Sequence, residues 1–126
     1  MAMARWRLRK SGFRFNAWHS FPDDSGYDAR PHGHDYEFSL LLEATACPQG
    51  MLYDARRLKQ LVADEVISRL DHQNLNDLLP QPSSEMLAEW IWRQLRPHLP
   101  PELKVGIELW ETRSIAIEYW GDEGKN

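Results

Sequence analysis

The stretch HGHDYEFSLLLE, at residues 32–43, decides the fold that this sequence predicts. Apolar or histidine side chains occupy alternate positions, and most of the positions between them are polar. A period of two residues indicates a β-strand with one buried face. The members of the predicted buried face are His32, His34, Tyr36, Phe38, Leu40 and Leu42.

A second predicted strand precedes this one, in RWRLRKSGFRFNAWH at residues 5–19. Trp6 and Leu8 share one face of it, opposite the arginines. After Gly12 the alternation slips by one residue, and a glycine at such a slip is typical of a β-bulge. We therefore expect a long strand that bends at Gly12. Its buried face beyond the bend holds Phe13, Phe15, Ala17 and His19.

The second half of the chain predicts two helices followed by two strands. Apolar residues recur at helical spacing after a capping Asp54 and again after Ser83. The predicted elements are a short strand at 51–53, a helix over 55–70, a loop over 71–81, a helix that ends before Pro97, and strands at 105–111 and 115–119. The main order, ββααββ, predicts the α+β class, with an antiparallel sheet and two helices on one face.

Composition narrows the function classes. The chain has 126 residues, a net charge of −4 at pH 7 and one cysteine, Cys47. This length predicts one domain over residues 1–126. The acidic balance disfavours nucleic acid as a partner, and no apolar run approaches the roughly 18 residues of a membrane span. A lone cysteine cannot form an internal disulfide, so we expect a cytoplasmic protein. We also expect no leader, because no signal-peptide core follows the basic start of the chain, and no membrane partner.

Three histidines form the first candidate site. His32 and His34 lie two residues apart on one strand face, and His19 ends the matching face of the preceding strand. If these strands pair, three imidazoles converge, which is the ligand set of a catalytic zinc site with an open fourth position. The alternative is a loop-to-strand junction with two hydrogen-bonded histidines.

Glu111 is the second candidate, because it continues the apolar face of the strand at 105–111. A buried carboxylate needs a partner, and a ligand with an amidine-like N–C–NH2 edge offers two hydrogen bonds to it. The alternative is a carboxylate at the strand end that reaches solvent or pairs with Arg113.

The third candidate is Asp71 with His72. A histidine beside a carboxylate can act as a general acid or base near neutral pH. The alternative is that Asp71 only caps a helix.

Taken together, these residues resemble the family of 6-pyruvoyltetrahydropterin and 6-carboxytetrahydropterin synthases, from Phe13 to Tyr119. The resemblance implies the tunnelling fold, in which ββααββ subunits form trimers that commonly pair into homohexamers around a barrel of strands. The segments that carry it are FNAWH at 15–19, HGHDY at 32–36, GMLYD at 50–54, LDHQNLN at 70–76, PSSE at 82–85, WIW at 90–92 and ET at 111–112.

The resemblance also implies a role for each candidate residue. It implies that zinc is the cofactor, that Glu111 anchors the ring of a pterin substrate, and that Asp71 and His72 belong to a proton relay. Ser83 and Glu85 match a motif that helps to hold the pterin. The implied zinc ligands are His19, His32 and His34.

Asp28 departs from the family pattern, since typical members have a catalytic cysteine at this position, four residues before the histidine pair. Aspartate is a weaker base than a thiolate by about 4 to 5 pKa units, although burial raises the pKa of a carboxyl group. Asp28 can therefore be a base, a zinc ligand or a solvated loop residue.

The first functional expectation is a zinc-dependent lyase of the synthase type, acting on the side chain of dihydroneopterin or its triphosphate. The 6-carboxytetrahydropterin synthase branch, which feeds queuosine biosynthesis, best fits a chain of this size. The alternatives are retro-aldol cleavage to 6-hydroxymethyl-dihydropterin, with Asp28 as the base, and a pterin or purine binder without turnover.

Overall fold

The structure, a computed structural model, describes residues 5–20 and 32–121, without the side chain of His32. Its sheet has five strands in the order β3-β1-β2-β4-β5. The strands are β1 (Trp6–His19), β2 (His32–Ala44), β3 (Gln73–Asn74), β4 (Lys104–Trp110) and β5 (Ala116–Tyr119). All neighbouring strands are antiparallel except β1 and β3, which run parallel.

The helices follow the predicted bounds closely. The first is continuous over residues 55–70, with α1 (Ala55–Val62), a π-helical turn (Ala63–Ile67) and α2 (Ser68–Leu70). The second is α3 (Ser84–Leu95), which a 3-10 turn (Arg96–His98) follows. The first begins at the predicted cap, because Asp54 accepts a hydrogen bond from the Arg56 N–H. The second begins within the predicted start at 82–85, where Ser83 accepts a hydrogen bond from the Met86 N–H.

Two short elements lie where the sequence predicts a loop. Residues 71–81 contain β3, which forms because Gln73 and Asn74 run beside β1. A 3-10 turn (Leu75–Asp77) follows it. The predicted strand at 51–53 is wrong, since these residues form bends without a strand partner among the described residues. The α+β class and the two helices on one face of the sheet are confirmed.

A β-bulge in β1 produces the predicted change of phase. Lys10 pairs with Leu40 and Phe13 with Phe38, so two residues of β1 lie opposite Ser39 alone. Gly12 adopts a φ of 88°, a left-handed conformation in which glycine is the least strained residue. Beyond the bulge, alternate residues of β1 pack into the core, and this places His19 on the buried face.

The core lies between the sheet and the two helices. Apolar side chains from the inner faces of β1, β2 and β4 pack there against α1 and α3. Within the described ranges, every helix is too short or too polar to cross a membrane. Fully buried members with large side chains include Tyr36, Phe38, Leu40, Leu42, Leu58, Leu70, Leu87, Ile91, Leu95, Ile107 and Leu109.

Candidate active site

Two histidines and a carboxylate converge at one end of the sheet. One nitrogen of His19, one nitrogen of His34 and one oxygen of Glu111 all lie within 4.8 Å of one another. His19 is the last residue of β1, His34 is near the start of β2, and Glu111 directly follows β4. The two imidazole rings stack with their centroids 5.0 Å apart. Pairing of β1 with β2, and of β2 with β4, therefore assembles three residues that could hold a metal ion, which we call the metal-binding group.

The two oxygens of Glu111 have different surroundings. Its Oε1 lies 3.7 Å from Nε2 of His34, and its Oε2 accepts a hydrogen bond of 2.6 Å from the Ser84 hydroxyl. The expected alternative partner, Arg113, makes no ion pair with it in the part of the chain that the structure describes. The start of α3 thus holds the carboxylate so that its other oxygen faces the histidines.

Tyr36 lies beneath this group on the inner face of β2. Its hydroxyl oxygen is 3.0 Å from Nδ1 of His19, and only 1% of the residue is exposed. Burial raises the pKa of Tyr36 far above its ordinary value, and the negative charge of Glu111 raises it further. The hydroxyl is therefore a neutral hydrogen-bonding group at the side of the histidine.

The donor atoms of the metal-binding group fit zinc. Imidazole nitrogens and carboxylate oxygens are both common zinc ligands, and two histidines with one glutamate form a known catalytic set. Of the three expected ligands, His19 and His34 are in the group, while the His32 side chain lies outside the described residues. The backbone register places His32 opposite His19. Glu111 joins the group, which the sequence did not predict.

Asp71 and His72 form a second polar pair. Asp71 Oδ1 accepts a hydrogen bond of 2.9 Å from the Asn16 N–H, and its Oδ2 lies 3.1 Å from Nδ1 of His72. The Asn16 N–H, and to a smaller extent His72, hold the pKa of Asp71 below its ordinary value. Asp71 is therefore an ionised carboxylate that can orient the His72 ring.

His72 has a φ of 59°, the only positive value among the described residues other than glycine. Its N–H donates to the Asn16 carbonyl oxygen at 2.6 Å, which holds this left-handed conformation in place. Strained backbone of this kind is found more often at functional sites than elsewhere. The side chain of His72 is 78% exposed, so it is accessible to a ligand.

A cavity of about 980 Å³ connects residues of the two groups. Glu111 from the metal-binding group and Asp71 from the second pair both line its wall. Its other lining residues are mostly polar, so a polar molecule fits it better than an apolar one. They are Arg14, Phe15, Asn16, Asp35, Tyr36, Glu37, Trp110, Thr112 and Arg113.

Ser83 and Glu85, the other predicted site residues that the structure describes, lie at the start of α3. Ser83 is the cap of α3 and Glu85 lies in its first turn, and neither lines the cavity. Both were predicted from the sequence, whereas Ser84, whose hydroxyl donates to Glu111, was not. One signal was available, because a serine that follows a capping serine is free to turn its hydroxyl elsewhere. Asp28 lies outside the described residues.

Comparison with known sequences gives one family over most of the chain. The family model described as 6-pyruvoyl tetrahydropterin synthase matches residues 7–122. A dihydroneopterin monophosphate aldolase from Pyrococcus furiosus is 34% identical over 88 residues, covering 69% of this chain and 75% of the relative. A 6-pyruvoyl tetrahydrobiopterin synthase from Dictyostelium discoideum is 29% identical over 97 residues, covering 72% and 71%.

Solved structures give the same fold. The 6-pyruvoyl tetrahydropterin synthase of Caenorhabditis elegans has a TM-score of 0.80 at 23% identity and covers 97% of this chain and 99% of its own. The Plasmodium vivax enzyme, solved with a catalytic glutamate replaced by alanine, has a TM-score of 0.74 at 22% identity, covering 92% and 97%. The expected tunnelling fold of the subunit is confirmed.

Proposed function

Because the chain belongs to the 6-pyruvoyl tetrahydropterin synthase family, we propose that it is a zinc-dependent lyase acting on the side chain of a phosphorylated 7,8-dihydroneopterin. Among the reactions of this type we place retro-aldol cleavage first. In it the bond between the first two side-chain carbons breaks, and 6-hydroxymethyl-dihydropterin and a phosphorylated glycolaldehyde are the products.

One geometric observation carries the proposal. Glu111 belongs to the metal-binding group and also lines the cavity that contains Asp71. A ligand in this cavity can therefore meet Glu111, one member of the metal-binding group, and Asp71, the carboxylate beside His72, at the same time. The N–C–NH2 edge of a pterin ring is a hydrogen-bond donor to a carboxylate such as Glu111.

Zinc held by His19 and His34, with His32 or Glu111, would stabilise the negative charge that develops on the side-chain oxygens. Glu111 keeps one oxygen on the Ser84 hydroxyl, so its other oxygen remains for the metal or the pterin. The buried position of His19, 2% exposed, limits the water that reaches this donor.

The Asp71–His72 pair would relay protons to and from Asp28, the proposed base. In a retro-aldol cleavage a base removes the proton from the hydroxyl on the second side-chain carbon. The carbon–carbon bond then breaks, its electron pair passes to the first carbon and the conjugated ring, and that carbon takes up a proton. His72 suits these transfers because the ionised carboxylate of Asp71 orients its ring.

Asp28 favours the aldolase reaction over the synthase reaction. The synthase reaction removes a proton from carbon, which calls for a strong base such as the thiolate that typical members have. Retro-aldol cleavage removes a proton from a hydroxyl group, which a weaker carboxylate base can do. The 34% identity with a dihydroneopterin monophosphate aldolase supports this choice.

A second candidate is the synthase reaction expected first from the sequence. The family description and the Dictyostelium discoideum relative support it.

We also propose that the protein works in the cytoplasm as a homo-oligomer, a hexamer of paired trimers. Subunits with open sheet edges, such as the short β3 and β5, are suited to such assembly.

The test is incubation of the zinc-loaded protein with dihydroneopterin monophosphate and triphosphate, with products identified by mass. We expect 6-hydroxymethyl-dihydropterin, and its loss in the Asp28→Asn variant. A 6-pyruvoyl or 6-carboxy product would instead establish the synthase reaction. Unchanged substrate with saturable binding would overturn both reactions and identify a binder.

A further inference from the structure

Tyr36 is the buried polar side chain next to the metal-binding group. It lies two residues after His34 on the same face of β2, and its hydroxyl is 3.0 Å from Nδ1 of His19 on the neighbouring strand. Its ring stacks on Phe15 with centroids 5.1 Å apart and planes 18° apart. Phe15 and Tyr36 are direct partners in the β1–β2 register, so the hydroxyl position is set by the rigid part of the sheet.

We propose that Tyr36 is a positioning residue that selects Nε2 of His19 as the metal ligand. The inference rests on the proposed zinc site. A neutral imidazole carries one hydrogen, and a metal binds the nitrogen without it. If the hydrogen is on Nδ1 and is donated to the Tyr36 oxygen, Nε2 is left with its lone pair. Ligating histidines usually make such a bond through their second nitrogen, and it fixes both the tautomer and the ring orientation.

A neutral phenol next to His19 differs in charge from the carboxylate that could hold the ring instead. A carboxylate partner would add a second negative charge beside Glu111, in a position where His19 is 2% exposed and an unpaired charge would be costly. The phenol holds the ring without that charge. The negative charge of the metal-binding group therefore comes from Glu111, and a bound zinc would keep more of its positive charge for the oxygens of a ligand.

The first experiment compares zinc affinity in Tyr36→Phe and in the unchanged protein, by competition with a chromogenic chelator. Tyr36→Phe keeps the ring that stacks on Phe15 and removes only the hydroxyl. We expect affinity to fall about 10- to 100-fold, the usual effect of removing such a partner. Tyr53→Phe is the matched control, because Tyr53 lies outside the metal-binding group, and its affinity should stay unchanged.

The visible absorption of bound cobalt reports how the metal is coordinated, which a packing defect elsewhere in the core would not change. We expect the visible absorption bands of cobalt bound to Tyr36→Phe to shift relative to the unchanged protein, because the His19 ring would be free to rotate. Equal bands and an affinity within about twofold of the unchanged protein would overturn the inference.

A third measurement needs no variant, so it remains decisive if Tyr36→Phe does not fold. The measurement is NMR of the unchanged protein, labelled with the heavy nitrogen isotope and loaded with an NMR-active cadmium isotope. We expect spin–spin coupling between the cadmium and Nε2 of His19. Coupling to Nδ1 would overturn the positioning role while the proposed function still stands. Failure of the unchanged protein to bind zinc or cadmium would overturn the zinc-dependent function, and this inference with it.

Discussion

At one end of the sheet, arginines at and just before the start of β1 neutralise carboxylates on β2 and β4. Glu43, 6% exposed, pairs with Arg5 and Arg7 at 3.0 Å each, and Glu108, 8% exposed, pairs with Arg9 at 2.7 Å. We call this the ion-pair end. At the other end, the metal-binding group gathers histidines around Glu111, which pairs with no arginine or lysine of the described residues.

The difference shows how the same strands serve two purposes. At the ion-pair end each carboxylate already has its opposite charge, so nothing further is needed for neutrality. In the metal-binding group one possible ligand atom from each of two imidazoles and a carboxylate lies within 4.8 Å of the others, so one cation could bind all three. A ligand is therefore expected at this end and not at the other.

The largest expected effect is at the metal-binding group. His34→Ala removes a proposed ligand, and zinc affinity should fall more than about 100-fold, since even an outer partner of a ligand is worth 10- to 100-fold. Zinc content after dialysis against a chelator measures this. His98→Ala is the control, because His98 lies 3.7 Å from Glu65 in a different part of the fold. Equal zinc retention by His34→Ala and the unchanged protein would break the comparison.

An intermediate effect is expected at the ion-pair end. Arg9→Met leaves the buried Glu108 without its arginine, and the free energy of unfolding should fall by about 1–3 kcal/mol. Arg7→Met is the matched control with a smaller loss, because Glu43 keeps Arg5. Urea denaturation measures both variants. Zinc affinity should be unchanged in each, and a loss of zinc binding in Arg9→Met would show that the two ends are coupled.

The smallest effect concerns pH. The pKa of Asp71 is lower in the folded than in the unfolded protein, chiefly because of the Asn16 N–H. Its contribution to stability is therefore present above the unfolded value, about 3.9, and is lost as pH falls through the folded value. Asp71→Asn should flatten the decline in stability at acidic pH, measured by urea denaturation across that range. An unchanged pH profile would contradict this.

Most of the fold could be predicted because it depends on local patterns. Alternation identified the inner faces of β1 and β2, and Gly12 marked the bulge. Caps at Asp54 and Ser83 marked the helix starts. The π-helical turn at 63–67 and the pairing of β3 with β1 could not be predicted, because both depend on how distant segments pack and neither leaves a periodic signal.

The candidate site could be predicted only in pieces. The shared face of His19 and His34 follows from strand periodicity, so their convergence was expected. Glu111 joins them only because β4 lies beside β2, and a single sequence does not give the order of strands. The contacts of Ser84 with Glu111 and of Tyr36 with His19 were also missed, because each joins side chains of separate elements and no periodic pattern specifies such a contact.

The bulge at Gly12 also changes which positions of β1 face inward. Before it the odd-numbered residues, including Arg7 and Arg9, face outward, and after it the odd-numbered residues, including Phe15 and His19, face inward. A strand of strict parity would have to carry all of these on one side. It would either bury the arginines or expose the histidine, so the one extra residue lets a single strand hold both an ion-pair ladder and a candidate metal ligand.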